Sequence, residues 1–459
     1  MVGKLLGPEI REMISQRDFT SLRSVFTDWS IPDLAEVLSD LEVEEQVIFF
    51  RVLPHTTAAE TFEYLDVETQ TDLLHAMGQE QVVGILNEMS ADDRTALLEE
   101  LPANVVSQLL RLLTPEERTV AQTLLNYPEE SVGRLMTPDF IAVPEDWTVS
   151  EVLDYIRKHG HASETLNVIY VVDAMGNLVN DVRISEFLIK PIHSVVGNLQ
   201  GHQITPLKVT DLQNHAVMQF KKYDRSALPV VDSEDKLVGI VTVDDILDVV
   251  EEQNTEDIQK LGGMQALDDP YLDVSLLAMV RKRAVWLMVL FLGQTVTASI
   301  MGYYEKEIST AVVLALFVPL IISSGGNSGS QATTLVIRAM ALGEVTLDDW
   351  WQVMKREIQA GICLGALLGA LGLLRITVWS AFSSEYGEHW FLVGLTITFA
   401  LLGVVIWGTL CGAMLPFLLK KMGLDPATSS APFVATLVDV TGLVIYFSVA
   451  ILLLRGTLL

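Results

Sequence analysis

The sequence predicts a multidomain membrane protein: an α-helical superhelical N-terminal domain, a tandem α/β region, a connecting helix and a five-span α-helical transmembrane domain. Three observations predict it. Mean hydropathy is positive at +0.37 although 59 of the 459 residues are acidic, a pairing that a single soluble globule does not produce. The formal charge of −29 lies wholly in the first 270 residues, because residues 271–459 hold 11 acidic and 11 basic side chains. Between those extremes, over 136–251, one strand-turn-strand pattern occurs twice, 59 residues apart.

The acidic half repels nucleic acid and anionic lipid, so no nucleic-acid partner is expected and cations are favoured. A plain solvated acidic surface is the other reading of such a count. Cys363 and Cys411 lie in apolar segments with neither disulfide nor metal-ligand spacing and read as packing residues. The opening MVGKLLGPEIREM has no apolar signal core, so the acidic half is expected in the cytoplasm.

Residues 1–135 read as short amphipathic helices. Apolar residues recur at three- and four-residue spacing in ALLEEL over 96–101, and Pro102 and Pro115 mark turns. Met89-Ser90-Ala91-Asp92-Asp93 returns as Leu113-Thr114-Pro115-Glu116-Glu117, the recurrence of stacked helix pairs. Carboxylates at such helix starts have an ordinary role as caps.

In the region 136–251, VIYVVD at 168–173 followed by Gly176-Asn177-Leu178 reappears as ALPVVD at 227–232 followed by KLVGIV at 236–241. Each copy is a strand, a turn and a second strand running into a helix. The tandem resembles a pair of CBS domains, modules that commonly bind adenosine nucleotides such as ATP. In the second copy Thr242 and Asp245 fit the ribose-contacting pattern. The first copy departs from it, with Asn180 in the usual glycine place and Arg183 and Glu186 in the others. Residues 252–275 then join the pair to the membrane on a helix expected to begin near 244, and DDILDVVEEQNTEDIQKL over 244–261 carries seven acids and one base.

Five apolar stretches, 284–301, 310–337, 358–382, 390–419 and 426–454, supply the roughly 20 residues that cross a bilayer as a helix. Only Arg375 and Asp439 are ionisable inside them. Arg281, Lys282, Arg283, Arg338, Lys355, Arg356, Lys420 and Lys421 flank the spans on one side, which the positive-inside rule makes cytoplasmic. The opposite loops, near 304–309 and 383–389, hold Lys306 as their one base, so the C-terminus is expected outside. Arg375 sits near the outer end of its span and can snorkel to the interface. Gly361, Gly365 and Gly369, four residues apart, are a helix-packing stripe.

Asp439 is the informative residue. An ionised carboxylate inside a span costs a few kcal/mol on insertion scales, and no basic residue lies at matching depth. The missing counter-charge is most simply a cation. In the second span Pro319 precedes SSGGNSGSQ at 323–331, small and polar residues that are expected to break or loosen the helix and to line a pore. Asn327 lies 11 residues before Arg338 and Asp439 lies 14 after Asp425, about 16 and 21 Å from the cytoplasmic edge at about 1.5 Å per residue. The two can therefore meet at one level. Carboxylate, amide and carbonyl oxygens suit a hard divalent cation, and Mg²⁺, which keeps its waters, needs few protein ligands. Asp425, with the backbone at Pro426 and Ala427, would form the cytoplasmic lip.

Taken whole, the chain resembles the MgtE family of magnesium channels and transporters. The resemblance rests on Pro319 with GGNSGSQ at 325–331, and on Asp425-Pro426-Ala427 leading to PFVATLVDVTG at 432–442. It implies a homodimer in the bacterial inner membrane, with a pore on the dimer axis lined by the second and fifth spans. Asp439 of each subunit would hold a hydrated Mg²⁺, with Asn327, Asp425 and Ala427 as further pore ligands and Pro319, Gly325, Gly326, Gly329, Gln331 and Pro432 lining the path. It also implies regulatory Mg²⁺ at Glu60, Asp92, Asp224, Asp245, Asp248, Glu256 and Asp257; where the family often has a further acid on the connecting helix, this chain has Gln253. The implied activity is Mg²⁺ influx, shut by cytoplasmic Mg²⁺. A coupled exchanger of the same fold is the alternative. An enzyme is not expected, for the chain has no P-loop and no HExxH, and none of its eight His lies in a span.

Overall fold

The structure is a computed structural model that describes every residue except Met1, Arg17, Thr27, Asp28, Gln200, 202–204, 268–270, Asp273, 383–385, Gly387 and Leu459. The end of the expected connector and part of the 383–389 loop thus lie outside the described residues. Contacts divide the chain into two units, Met1–Glu251 and Glu252–Leu459.

In the first unit, α1 (Val2–Ser15) and α2 (Phe19–Phe26) precede eight helices that begin every 12 residues. These are α3 (Ile31–Ser39), α4 (Val43–Val52), α5 (His55–Glu63), α6 (Val67–Ala76), α7 (Gln79–Glu88), α8 (Ala91–Glu100), α9 (Ala103–Leu112) and α10 (Pro115–Leu125). The stacked pairs are a 24-residue repeat. Its chemistry is visible in Gln46, Gln70, Arg94 and Arg118, which recur at that interval. Each reaches back to carbonyls at the end of the preceding helix: Gln46 Nε2 donates to Leu38 O and Leu41 O, Gln70 to Phe62 O, Arg94 to Leu86 O and Met89 O, and Arg118 to Leu110 O and Leu113 O. Helix C-termini leave such carbonyls unpaired, so one long polar side chain per pair satisfies them. Between the pairs run Leu34, Phe49, Phe62, Leu73 and Leu97, all fully buried.

A short α11 (Val132–Leu135) leads into the repeat of strands. The first copy comprises β1 (Ala142–Pro144), α12 (Val149–His159), β2 (Val168–Val172), β3 (Leu178–Arg183) and α13 (Ile184–Ile189). The second comprises β4 (Leu207–Lys208), α14 (Gln213–Tyr223), β5 (Ala227–Val231), β6 (Leu237–Thr242) and α15 (Val243–Leu261). Each sheet has a parallel then an antiparallel pairing, in the order β1-β2-β3 and β4-β5-β6. The copies agree even in their irregularities. Both register shifts fall at the same repeat position, Val171/Val172 and Val230/Val231, and both turns place a left-handed residue, Gly176 and Asp235. The two sheets pack through Val168, Tyr170, Ala227 and Ile240.

Helix α15 starts at Val243, as the sequence suggested, but stops at Leu261, short of 275. Gly263, at φ +74°, ends it, and a Cβ there would stand 2.7 Å from the Trp286 ring and 3.2 Å from Pro432.

The second unit holds five helices long and apolar enough to cross a membrane: Leu276–Tyr303, Val312–Ala341, Leu347–Ser380, Trp390–Lys421 and Ala431–Leu454. Their α-helical parts are α16 (Leu276–Tyr303), α18 (Val318–Ala341), α19 (Trp350–Ser380), α20 (Trp390–Lys421) and α21 (Ala431–Leu454), with a short α17 (Glu305–Thr310) after α16. The first and third helices begin eight residues before the apolar stretches that revealed them, since polar first turns remain helical outside hydrocarbon. One expectation is corrected. The SSGGNSGSQ run does not break its helix: α18 is continuous, and the irregularity comes earlier, in a 3₁₀ stretch at Val312–Phe317. Pro319 belongs to the first turn, where a missing N–H costs nothing. The glycine stripe of α19 packs as expected, with a Cβ at Gly361 or Gly365 falling 2.9 Å from Ile406 Cα or Leu402 Cα of α20.

Candidate functional site

Small residues set where α18 can go. Gly325 and Gly329, read from sequence as pore lining, are buried at the crossing with α20 and α21. A Cβ at Gly329 would be 3.0 Å from Gly408 O and 3.0 Å from Val434 Cγ1, and one at Gly408 would be 2.5 Å from Gly325 O. They are packing residues, because glycine on both helices lets the backbones touch. Thr333 Oγ1 closes the same contact by donating to Gly412 O at 2.8 Å. The opposite face of α18 carries Pro319, Ser323, Asn327 and Gln331, four residues apart and all exposed in the protomer.

Asp439 lies on α21, half-buried, at the level of that polar face. Its Oδ1 stands 3.5 Å from where a Gly326 Cβ would be, so Gly326 lines the carboxylate and Asn327 follows it on the chain. Asn327 Nδ2 donates to Ser323 Oγ at 3.3 Å, which leaves the amide oxygen for other partners. Asp439 Oδ2 accepts from Gln294 Nε2 of α16 at 2.9 Å. Gln294 was not singled out from the sequence because it stands alone as an amide in an apolar span, whereas Asn327 and Gln331 belong to a polar run. An uncharged amide in an apolar stretch was the available signal.

At the cytoplasmic end, Asp425 caps the 3₁₀ turn Pro426–Thr428. Its Oδ1 accepts from Ala427 N at 2.9 Å and its Oδ2 from Lys260 Nζ at 2.8 Å. Lys260 also pairs with Glu256 at 2.7 Å. Burial and the Asp425 charge raise the neighbouring Asp257, while Lys260 and Arg338 oppose the rise. The last turns of α15 and the lip therefore share one charged cluster, and Lys260 is a member that sequence reasoning did not single out. Pro432 stands beneath it against Gly263, and Trp286 Nε1 donates to Ser430 Oγ at 3.0 Å.

The first unit holds a second cluster, where α8 meets the second copy of the strand repeat through Ala91, Leu124, Met136 and Ile246. Burial and the Asp245 charge hold Asp92 well above the usual carboxylate range. Its Oδ1 is buried without a hydrogen-bond partner. Burial, with Asp244 and Asp93 adding, pushes Asp245 up to about 7 against the bonds from Thr242, whose Oγ1 donates to Asp245 at 2.5 Å. Glu63 is pushed up to about 7 by burial and Asp93. Asp93, Glu164 and Asp248 are raised by the same combination of burial and like charge. Glu60 is exposed at the edge of this group. Asp224 stands outside it, the exposed left-handed C-cap of α14 at φ 51°. Among the described residues no three His, Cys, Asp or Glu side chains converge as a ready ligand set, so an ion here would keep most of its water, as Mg²⁺ does.

The nucleotide-contacting pattern of the second copy is folded in on itself. Thr242 is 6 % exposed and bonded to Asp245, whose charge acts on Asp92 of α8. In the first copy, Asn180 Nδ2 donates to Leu199 O at 3.3 Å. Its counterpart Gly239 must stay bare, because a Cβ there would stand 2.7 Å from Met136 Sδ.

A stacked helical domain, a CBS pair and five apolar helices around one mid-membrane carboxylate define a divalent-cation transporter. The divalent cation transporter family described as MgtE matches residues 318–449, the MgtE intracellular N domain matches 29–130, and the CBS domain matches 132–189 and 196–252. Magnesium transporter MgtE of Thermus thermophilus is 37 % identical over 454 residues, 98 % of this chain and 99 % of the relative. That of Bacillus subtilis is 28 % identical over 435 residues, 92 % and 94 % of the two chains. The chain belongs to the MgtE family of magnesium transporters, and it is not an enzyme. Among solved structures, the cytosolic domain of the Mg²⁺ channel MgtE in complex with ATP aligns with a TM-score of 0.50 at 33 % identity, over 52 % of this chain and 98 % of that one. The soluble part of a magnesium transporter aligns at 0.52 and 24 % identity, over 55 % and 99 %, a likeness of fold.

Proposed function

We propose that two copies of the chain form a Mg²⁺ channel in the bacterial inner membrane, N-terminus in the cytoplasm and C-terminus outside, that cytoplasmic Mg²⁺ closes. The observation that carries this reading is Asp439: one carboxylate at mid-membrane, beside Gly326 and Asn327, with a single amide as its bonded partner. A pair of such carboxylates facing one another can hold a hydrated divalent ion without stripping it, which suits an ion that dehydrates reluctantly. Inward flow needs no ATP, since a divalent ion gains about 4.6 kcal/mol per 100 mV of inside-negative potential.

Closure follows from linkage. In the absence of Mg²⁺ the carboxylates around Asp92 and Asp245, and those around Glu256, Asp257 and Asp425, repel. Bound ions favour the arrangement that gathers them. Moving an open-to-closed ratio from about 1:99 to about 99:1 takes about 5.5 kcal/mol. Four weak sites, each at about ten times its dissociation constant, contribute about 1.4 kcal/mol apiece, which suffices. Glu60 and Asp224 are assigned peripheral roles in this sensing, on the strength of the family resemblance. ATP is assigned to the second CBS copy, with Thr242 and Asp245 on the ribose; α8 must move aside to admit it.

The test is Mg²⁺ uptake in cells lacking their own transporters. Asp439→Ala should abolish it while the protein still reaches the membrane. Unimpaired uptake by that variant would refute the pore assignment.

A further inference from the structure

We propose that Gln294 is a positioning residue that sets the ion preference of the pore by occupying one oxygen of Asp439; this rests on the channel reading above. The geometry is local to two helices. Gly293 lets α16 approach α21 so closely that a Cβ there would stand 2.6 Å from Thr436 Cγ2. The next residue, Gln294, is thereby brought to Asp439, and its Nε2 donates to Oδ2 at 2.9 Å. Lower on the same pair of helices, Trp286 Nε1 donates to Ser430 Oγ at 3.0 Å, so the register of α16 on α21 is fixed at two points. Gln294 has no second role in view, for most of α16 is exposed in the protomer and Thr297 is its one buried residue among those described.

The consequence is a carboxylate with one hand held. Oδ2 is tied to α16, and Oδ1 faces Gly326, the residue before Asn327. An Asp fixed in this way presents a single oxygen to an ion on the α18 side. Mg²⁺ is content with that, since it takes one carboxylate oxygen, or a water bonded to it, within an octahedron of about six ligands. Ca²⁺ takes about six to eight oxygens and favours both oxygens of a carboxylate. Withholding Oδ2 thus discriminates against the larger ion at the point where a pore needs selectivity. Selectivity of this kind is negative: it lowers the affinity of the wrong ion and leaves the right one little changed.

The experiment records Mg²⁺ current from the full-length protein in inside-out patches and titrates block by Ca²⁺, each variant normalised to its own Mg²⁺ current. Gln294→Met matches the side chain in length and removes the donor; Gln294→Asn keeps the amide one methylene short of reach. Both are expected to lower the half-blocking Ca²⁺ concentration about tenfold, and the second gives the answer even where the first fails to assemble. A Ca²⁺ block equal to wild type in a conducting variant, or an equal loss of affinity for both ions, overturns the role of Gln294. A wild-type protein that carries no Mg²⁺ current overturns the channel reading instead.

Discussion

Asp181 and Arg225 show how much one residue can change a repeat. They are the counterparts of Ile240 and Leu166 in the other copy, and they join the two copies by an ion pair of 2.5 Å whose side chains are 2 % and 7 % exposed. Arg225 Nη1 and Asp181 Oδ1 have no further partner among the described residues, and neither has the Tyr170 hydroxyl nearby. Replacing one member strands a buried charge, at a cost of about 3–5 kcal/mol, whereas replacing both by apolar residues of similar volume is close to neutral. Denaturant unfolding of the cytoplasmic part should therefore show Asp181→Ile and Arg225→Leu each strongly destabilised and the double variant restored to within about 1 kcal/mol. If the double variant is as unstable as the sum of the singles, the pair is doing something other than bridging the copies.

At the scale of elements, the end of α15 is tied to the pore lip through Lys260, between Glu256 and Asp425. A half-exposed pair of this kind is modest, worth up to about 1 kcal/mol. Lys260→Met should accordingly raise the open-to-closed ratio at nominally zero internal Mg²⁺ by about threefold, measured as open probability in excised patches, with Lys260→Arg close to wild type. The elements themselves were largely legible: apolar length revealed five spans, and a repeated string revealed two CBS copies whose bulges and turns prove to coincide. The 24-residue marker of the N-terminal repeat was not, because it is a polar residue, Gln46, Gln70, Arg94 or Arg118, that reaches carbonyls eight positions back; the 12-residue cadence alone has an apolar trace, in the buried Leu41, Leu53, Leu65, Met77, Met89, Leu101 and Leu113. Nor was the unbroken α18. Serine and glycine lower helix propensity in water, but a glycine face that meets Gly408 and Gly412 of α20 gains packing that propensity does not count. Charge alone marked Asp439 in the candidate site, while Asp92 and Asp245 entered through the family resemblance. The site was not legible where the partner was neutral, as with Gln294, or where glycines faced a neighbour instead of the pore.

Over the whole molecule, all the excess negative charge lies before residue 271, and the membrane half is neutral with one mid-span carboxylate. That division makes gating sensitive to pH in a direction that can be worked out. Asp245 and Glu63 are raised to about 7, so in the gathered state without Mg²⁺ they favour their protons, and the stability that this confers is lost as pH rises through 7. Protons and Mg²⁺ therefore compete for these carboxylates but favour the same gathered state, so protons lost as pH rises must be made up by more Mg²⁺. Each carboxylate that is mostly protonated at pH 6 and ionised at pH 8 makes the gathered state up to about tenfold less favoured at the higher pH. The internal Mg²⁺ that half-closes the channel should therefore be higher at pH 8 than at pH 6, and a midpoint that falls as pH rises would contradict the assignment of these carboxylates to the sensor.

A pore joined to a sensor of the ion it passes is tested in both halves together by excised-patch recording of the full-length protein under graded cytoplasmic Mg²⁺. Unitary Mg²⁺ currents are expected at low cytoplasmic Mg²⁺ that disappear as it reaches the millimolar range, with Asp439→Ala silent throughout. Flux that saturates, shows no unitary events and collapses with a coupling-ion gradient would contradict the channel reading and mark the protein as an exchanger.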